Sequence, residues 1–289
     1  MTQIISSFAQ HDTGTLYLVP TPIGNLDDMT FRAIKVLQAV DFIAAEDTRN
    51  TQKLLNHFEI ETKQISFHEH NTQQRIPELL TLLKEGKSLA QVSDAGMPSI
   101  SDPGKELVAA AITADIPVVP LPGANAGITA LIASGLAPQP FTFYGFVQRK
   151  KSTQAEELAG LAHHPATLIF YEAPHRLQKT LQAMATAFGG ERQAVLAREL
   201  TKRYEEFARG TLDELVQQAA NPRGEYVILV APGPKESAPS TPEVLLPLAD
   251  RVNELVADGL KPNAAIKIAA KERGISRQDA YAQYHELKE

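Results

Sequence analysis

The chain has 289 residues, 43% of them hydrophobic and 21% charged, with no cysteine and a formal net charge of −6. This is the composition of a folded globular protein, and the lack of cysteine excludes disulfides, thiolate catalysis and cysteine-based zinc sites. The acidic balance gives no global attraction for nucleic acid, so a partner of that kind needs a local basic patch. No apolar run approaches the roughly 20 residues that span a bilayer, and residues 1–12 lack the basic start and apolar centre of a signal peptide. The expected location is the cytoplasm, without a membrane partner.

From Thr15 to Pro120, short apolar runs alternate with amphipathic stretches. Strands are predicted at residues 16–19, 42–45, 64–67, 89–92 and 116–119. Helices fall between them, through Ala33, Val36, Leu37 and Val40, over 75–84 and over 105–113. This βαβ rhythm implies a mostly parallel sheet with helices on both faces. After Pro120-Leu121-Pro122-Gly123 the pattern changes to a small-residue helix over 124–134. Strands follow at 141–144, 167–171, 194–197, 205–208 and 226–230, and Thr211 with Glu214 forms a capping box before a helix. Strands so closely spaced suggest a mixed sheet. Residues 231–242 are rich in Pro and Ser and read as a linker. Beyond it, apolar stripes at Leu245, Leu248, Val252 and Val256, then at Ala264, Ile268 and Ala269, precede a third helix opened by Ser276 and Asp279. The expected domains are 13–122 and 123–234, both α/β, and a helical appendage at 242–289.

Several polar clusters sit where a strand gives way to a helix. Open α/β sheets place their ligands there, beyond the carboxyl ends of the strands. Residues 93–104, Ser-Asp-Ala-Gly-Met-Pro-Ser-Ile-Ser-Asp-Pro-Gly, are the longest such loop and read as a binding loop; Asp102 is placed to cap the next helix, with Pro103 just inside it. The turn after the first strand carries Pro20 and Pro22 where a dinucleotide fold carries glycines. No Gly-x-Gly-x-x-Gly or Walker pattern occurs, so a compact nucleoside without phosphates fits better than a nicotinamide cofactor or a nucleoside triphosphate. Glu46, Asp47 and Arg49, with Lys53 one turn on, either polarise a hydroxyl and hold a ribose or phosphate, or form an internal salt-bridge network. His175 and Arg176 follow another strand end, although a lone histidine more often caps or packs. The basic run from Arg198 through Lys202 to Arg203 meets a polyanion or is a solvated face. The same choice stands for Lys261, Lys267, Lys271, Arg273 and Arg277, which face one acid, Glu272. His68-Glu69-His70 and His163-His164 lack a third ligand at suitable spacing, so no metal site is expected.

Five segments in fixed order carry a family resemblance: Leu18-Val-Pro-Thr-Pro-Ile-Gly-Asn-Leu26, Ala45-Glu-Asp-Thr-Arg49, Val92-Ser-Asp-Ala-Gly-Met-Pro-Ser-Ile-Ser-Asp-Pro-Gly104, Pro122-Gly-Ala-Asn-Ala126 and Tyr171-Glu-Ala-Pro-His-Arg-Leu177. The chain resembles the ribosomal RNA small subunit methyltransferase I family, within the tetrapyrrole methylase superfamily, from about Thr15 to Gly233. The resemblance implies two α/β domains with a cofactor cleft between them, S-adenosylmethionine held there in a folded conformation, and a small C-terminal helical domain. It further implies methylation of a cytidine 2′-hydroxyl in the decoding region of 16S ribosomal RNA, within the small ribosomal subunit, by a homodimer. By motif, the cofactor residues are Ile23, Asp94, Ala95, Gly96, Met97, Ile100, Asn125, Ala126, Glu172 and Leu200. Glu46 or Asp47 is the expected general base, with Arg49 beside it. His175, Arg176, Lys202, Lys267 and Lys271 are the expected RNA contacts. Pro20, Pro22 and Glu172 depart from the tetrapyrrole enzymes and weigh against a tetrapyrrole substrate. The alternatives are methylation of a small molecule such as a tetrapyrrole precursor, and a non-catalytic ribosome-associated RNA-binding module.

Overall fold

The computed structural model describes residues 3–234 and 246–286. The chain divides into two compact units, one ending at Gly233 and the other beginning at Pro234. Most of the segment expected to be a linker, with Leu245, lies outside the described residues.

The larger unit holds two five-stranded sheets. In the first, β1 (Leu16–Leu18), β2 (Phe42–Ala45), β3 (Lys63–Ser66), β4 (Leu89–Val92) and β5 (Val118–Pro120) are ordered β3-β2-β4-β1-β5 and all pair in parallel. Side chains alternate along each strand, so Ile43, Ala45, Ala90 and Val92 face one way while Ala44 and Leu89 face the other. The first face is covered by α1 (Phe31–Ala39) and α2 (Thr48–His57), the second by α3 (Thr72–Lys84) and α4 (Lys105–Thr113). Both faces of the strands are therefore apolar, as a parallel sheet sandwiched by helices requires. Each fully buried leucine on these faces, such as Leu37, Leu79 or Leu107, contributes about 1.5–3 kcal/mol relative to exposure.

The second sheet runs β6 (Phe141–Gly145), β7 (Thr167–Glu172), β10 (Tyr226–Val230), β8 (Gln193–Arg198), β9 (Glu206–Thr211). Only β6 and β7 are parallel; β10 is antiparallel to both β7 and β8. Leu168, Phe170, Leu196 and Ile228 face α6 (Lys151–Leu161), α7 (Pro174–Phe188) and α8 (Leu212–Gln218), and the expected Thr211–Glu214 capping box opens α8. The other face, Ile169, Val195, Ala197 and Leu229, packs on α5 (Ala126–Ser134) and receives Ile23 from the first sheet's leading loop. That contact joins the two sheets around a common cleft.

Two helices lacked a clear sequence signal, and burial explains why. α2 buries only Thr51, Leu54 and Leu55, and α6 only Gln154 and Leu158. Neither presents a full apolar stripe.

In the smaller unit α9 (Leu248–Ala257), α10 (Pro262–Glu272) and α11 (Arg277–Glu286) pack around Val252, Ile266, Ala269 and Ala280. The Ser276 hydroxyl accepts the Asp279 N–H at the start of α11 (3.1 Å). Arg251 grips the carboxylate of Glu272 with Nε and Nη2 (3.1 and 2.9 Å), which neutralises the single acid of the basic segment. Lys261, Lys267 and Lys271 are exposed.

Candidate active site

β1 and β4 are neighbours, but the chain leaves β1 toward β2 on one side and leaves β4 toward β5 on the other. The carboxyl ends of these two strands carry loops that line one cavity, at the edge where open α/β sheets bind their ligands. The loops are tied to each other: Thr21 and Gly96 exchange two backbone hydrogen bonds, both 3.0 Å. Gly96 sits at φ +78°, and a Cβ there would touch Ile23 at 3.4 Å. The loop after β4 is fixed from below by Gln91, 1% exposed, whose amide donates to Ser99 Oγ (3.2 Å) and the Pro103 carbonyl (2.7 Å). Gly104, at φ +143°, has no room for a side chain, since a Cβ would lie 1.8 Å from Gln91 Nε2.

A cavity of about 490 Å³ opens between this loop and the second sheet. The first lobe supplies Ile23, Ala95, Gly96, Met97 and Ile100. Asn125 and Ala126 enter from the start of α5, where Asn125 Oδ1 accepts the Ile128 N–H (2.9 Å). Glu172 and Leu200 complete the wall from the second lobe. Nine of the ten residues selected as cofactor contacts thus surround one space.

Asp94 departs from the set. It lines a smaller neighbouring cavity of about 210 Å³ with Thr21, Asn50 and Lys53. Its carboxylate accepts the Asp47 N–H (3.3 Å) and the Asn50 amide (3.0 Å), which turn it toward α2.

Asp102 also differs from expectation. Gly104 is the residue that precedes α4, and no side chain caps that helix. Asp102 lines the large cavity instead, where burial pushes its carboxyl up; the Ser93 hydroxyl offsets part of this and the Asp94 charge adds to it. Phe146, Ser101, Tyr171, Glu225, Tyr226 and Val227 line the cavity as well and were not among the selected residues. The Tyr171 hydroxyl accepts the Gly127 N–H (3.1 Å).

The charged residues after β2 form one cluster with Asp94. Asp47 caps α2 by accepting the Arg49 N–H (2.9 Å), and its carboxylate is gripped by the Arg49 side chain. These bonds hold Asp47 well below the usual carboxylate range. Glu46 is half-buried and accepts the Asp94 N–H (3.3 Å). Burial pushes its carboxyl up, the Asp94 N–H offsets part of that, and the charges of Asp102, Asp94 and Asp47 push it further. Asp47 with Arg49 is thus an ion pair, as the salt-bridge reading expected, and Glu46 is an acid perturbed by burial and by its neighbours.

Of the expected RNA contacts, His175 is exposed at the start of α7. Arg176 is turned inward. Its guanidinium reaches the Val147 and Gln148 carbonyls (3.1 and 3.4 Å) and the buried Glu172 carboxylate (3.4 Å), which also accepts the Thr180 hydroxyl (2.6 Å). Lys202 is paired with Glu199 and Glu225 (3.0 and 2.9 Å). Lys267 and Lys271 lie on α10 in the smaller unit.

Residues 15–216 match the family model described as Tetrapyrrole (Corrin/Porphyrin) Methylases. Curated relatives extend over almost the whole chain. A protein of Streptococcus pyogenes serotype M18 (strain MGAS8232), named Ribosomal RNA small subunit methyltransferase I, is 55% identical over 289 residues, 99% of this chain and 100% of its own. The chain belongs to the ribosomal RNA small subunit methyltransferase I family. The family member of Bacillus subtilis (strain 168) is 49% identical over 278 residues, 95% of each chain. Among solved structures, cobalt precorrin-4 methyltransferase aligns with a TM-score of 0.57 at 19% identity, covering 75% of this chain and 94% of that one. Uroporphyrin-III C-methyl transferase from Thermus thermophilus, complexed with S-adenyl homocysteine, aligns with a TM-score of 0.54 at 17% identity over 75% and 97%. At such identities these two structures speak for the fold, which is the tetrapyrrole methylase fold with helices added at the C-terminus.

Proposed function

We propose that the chain transfers a methyl group from S-adenosylmethionine to the 2′-hydroxyl of a cytidine ribose in the decoding region of 16S ribosomal RNA. Its substrate is the small ribosomal subunit, and it acts as a homodimer in the cytoplasm. The observation that carries this reading is the cavity at the carboxyl edge of the first sheet in a chain 49–55% identical to proteins named for ribosomal RNA methylation.

The residues around the cavity fit the donor. Small side chains at Ala95, Gly96, Ala126, Ala173 and Ala197 leave room for a nucleoside against apolar walls, and the carboxylates of Asp102 and Glu225 suit a cationic ligand with ribose hydroxyls. When bound, S-adenosylmethionine supplies a methyl on a positively charged sulfur, which an oxygen nucleophile displaces in line. The chain's part is chiefly to align oxygen, methyl and sulfur, a large contribution for a bimolecular step.

A ribose hydroxyl is a weak nucleophile until it loses its proton. Glu46 is our candidate to accept that proton: it accepts the Asp94 N–H in the loop after β4, and burial pushes its carboxyl up. Asp47 is unsuited, since Arg49 and the start of α2 consume its lone pairs. Arg49, its guanidinium side chain 86% exposed, has N–H groups left for an RNA phosphate. His175 in the larger unit, and Lys267 and Lys271 in the smaller one, are further proposed RNA contacts, whereas Arg176 and Lys202 serve the protein's own frame. Calorimetry with S-adenosylmethionine tests the donor site: measurable binding is expected, and its absence overturns the enzymatic reading.

A further inference from the structure

The loop between β8 and β9, residues 199–205, holds two non-glycine residues in the left-handed region, Glu199 at φ 49° and Thr201 at φ 64°. They flank Leu200, which is 6% exposed and lines the large cavity. Side chains pay for such backbone only where the surroundings fix it.

The fixing contacts run in two directions. Within the second lobe, Glu199 Oε1 accepts the Glu225 N–H (2.9 Å) and Lys202 Nζ (3.0 Å), and Lys202 Nζ also donates to Glu225 Oε2 (2.9 Å). Toward the first lobe, the Thr201 hydroxyl donates to Asp28 Oδ2, and the Lys202 stem lies over Gly24. A Cβ on Gly24 would meet Lys202 Cγ at 2.5 Å. Gly24 follows Ile23, which lines the cavity opposite Leu200 in the chain's other lobe. One strained loop thereby crosses from lobe to lobe beside the cavity and carries a wall residue at its centre.

We propose that residues 199–205 are a clasp that holds the two lobes at a fixed opening and presses Leu200 against the methyl donor. Thr201, Asp28 and Lys202 are positioning residues in it. The inference rests on the cavity being the donor site.

The test is calorimetry with S-adenosylhomocysteine on the full chain and on Thr201→Val, Asp28→Asn, their double variant, Thr201→Ser and Gly24→Ala, with ligand-free melting temperatures in parallel. The clasp predicts that Thr201→Val and Asp28→Asn each weaken binding about ten-fold, that the double variant is no weaker than the worse single one, and that Thr201→Ser restores affinity. Gly24→Ala, which displaces Lys202 from the other lobe, weakens binding without touching the hydroxyl. In turnover the loss falls on KM for S-adenosylmethionine rather than on kcat. If the unmodified chain fails to bind S-adenosylhomocysteine, the donor-site reading falls. If it binds and Thr201→Val and Gly24→Ala bind equally well, the clasp falls. A variant too unstable to titrate leaves the decision to the other lobe's variant, since Thr201 and Gly24 act from opposite sides.

Discussion

Arg49 Nε donates to Asp47 Oδ1 at 3.0 Å and its Nη2 to Asp47 Oδ2 at 2.6 Å, a two-pronged grip that occupies the carboxylate beside Glu46. The adjacent acids therefore differ: Asp47 is a fixed anion that starts α2, and Glu46, which is left out of that grip, is the proposed proton acceptor.

Glu46→Gln is therefore expected to lower the single-turnover rate on small-subunit particles by about 10²–10⁴-fold, with S-adenosylhomocysteine affinity retained. In the unmodified protein the rate rises with pH through a value above the ordinary 4.5 and then levels, because the base must be ionised to act. An unchanged single-turnover rate in Glu46→Gln ends the general-base assignment.

Asp102 is held against burial, so its native carboxyl titrates above 3.8 while the unfolded one does not. Relative to an amide at this position, the native state loses stability as pH rises from the unfolded value through the native one. Asp102→Asn is expected to raise the melting temperature at pH 7, with the advantage closing as pH falls toward 3.8. A lower melting temperature at pH 7 contradicts this.

Arg176 braces the Val147 and Gln148 carbonyls and the Glu172 carboxylate, which is 3% exposed. Arg176→Ala strips a charge partner from a buried acid and should cost about 3 kcal/mol in denaturant unfolding. A cost below about 0.5 kcal/mol, in the range of ordinary surface changes, would return Arg176 to the pool of free RNA contacts.

Truncation after Pro234 removes the helical unit with Lys261, Lys267 and Lys271. S-adenosylhomocysteine binding should survive, while kcat/KM on small-subunit particles falls roughly ten-fold or more through lost phosphate contacts. Undiminished kcat/KM would make the helices purely structural.

Most strands and several helices were legible because their cause is local: the continuous apolar run at Ile43-Ala44-Ala45, the Thr211–Glu214 box, the apolar spacing of residues 105–113. The loop over residues 93–104 was legible for the same reason, whereas Ile23, Asn125, Ala126, Glu172 and Leu200 were expected through the family resemblance. Tyr226 and Val227 escaped because β10 runs antiparallel and brings its amino end to the edge where β7 and β8 bring their carboxyl ends. The direction in which Asp94, Asp102, Arg176 and Lys202 point was not legible either. It depends on partners distant in sequence, such as Asn50 for Asp94 or Glu225 for Lys202.

The most direct test is to incubate the purified chain with methyl-labelled S-adenosylmethionine and unmethylated small-subunit particles, then locate the label by nuclease digestion and mass mapping. A single 2′-O-methylcytidine in the decoding region of 16S ribosomal RNA is the predicted result. Label on a base, at a site outside that region, or nowhere in the particle would contradict the account.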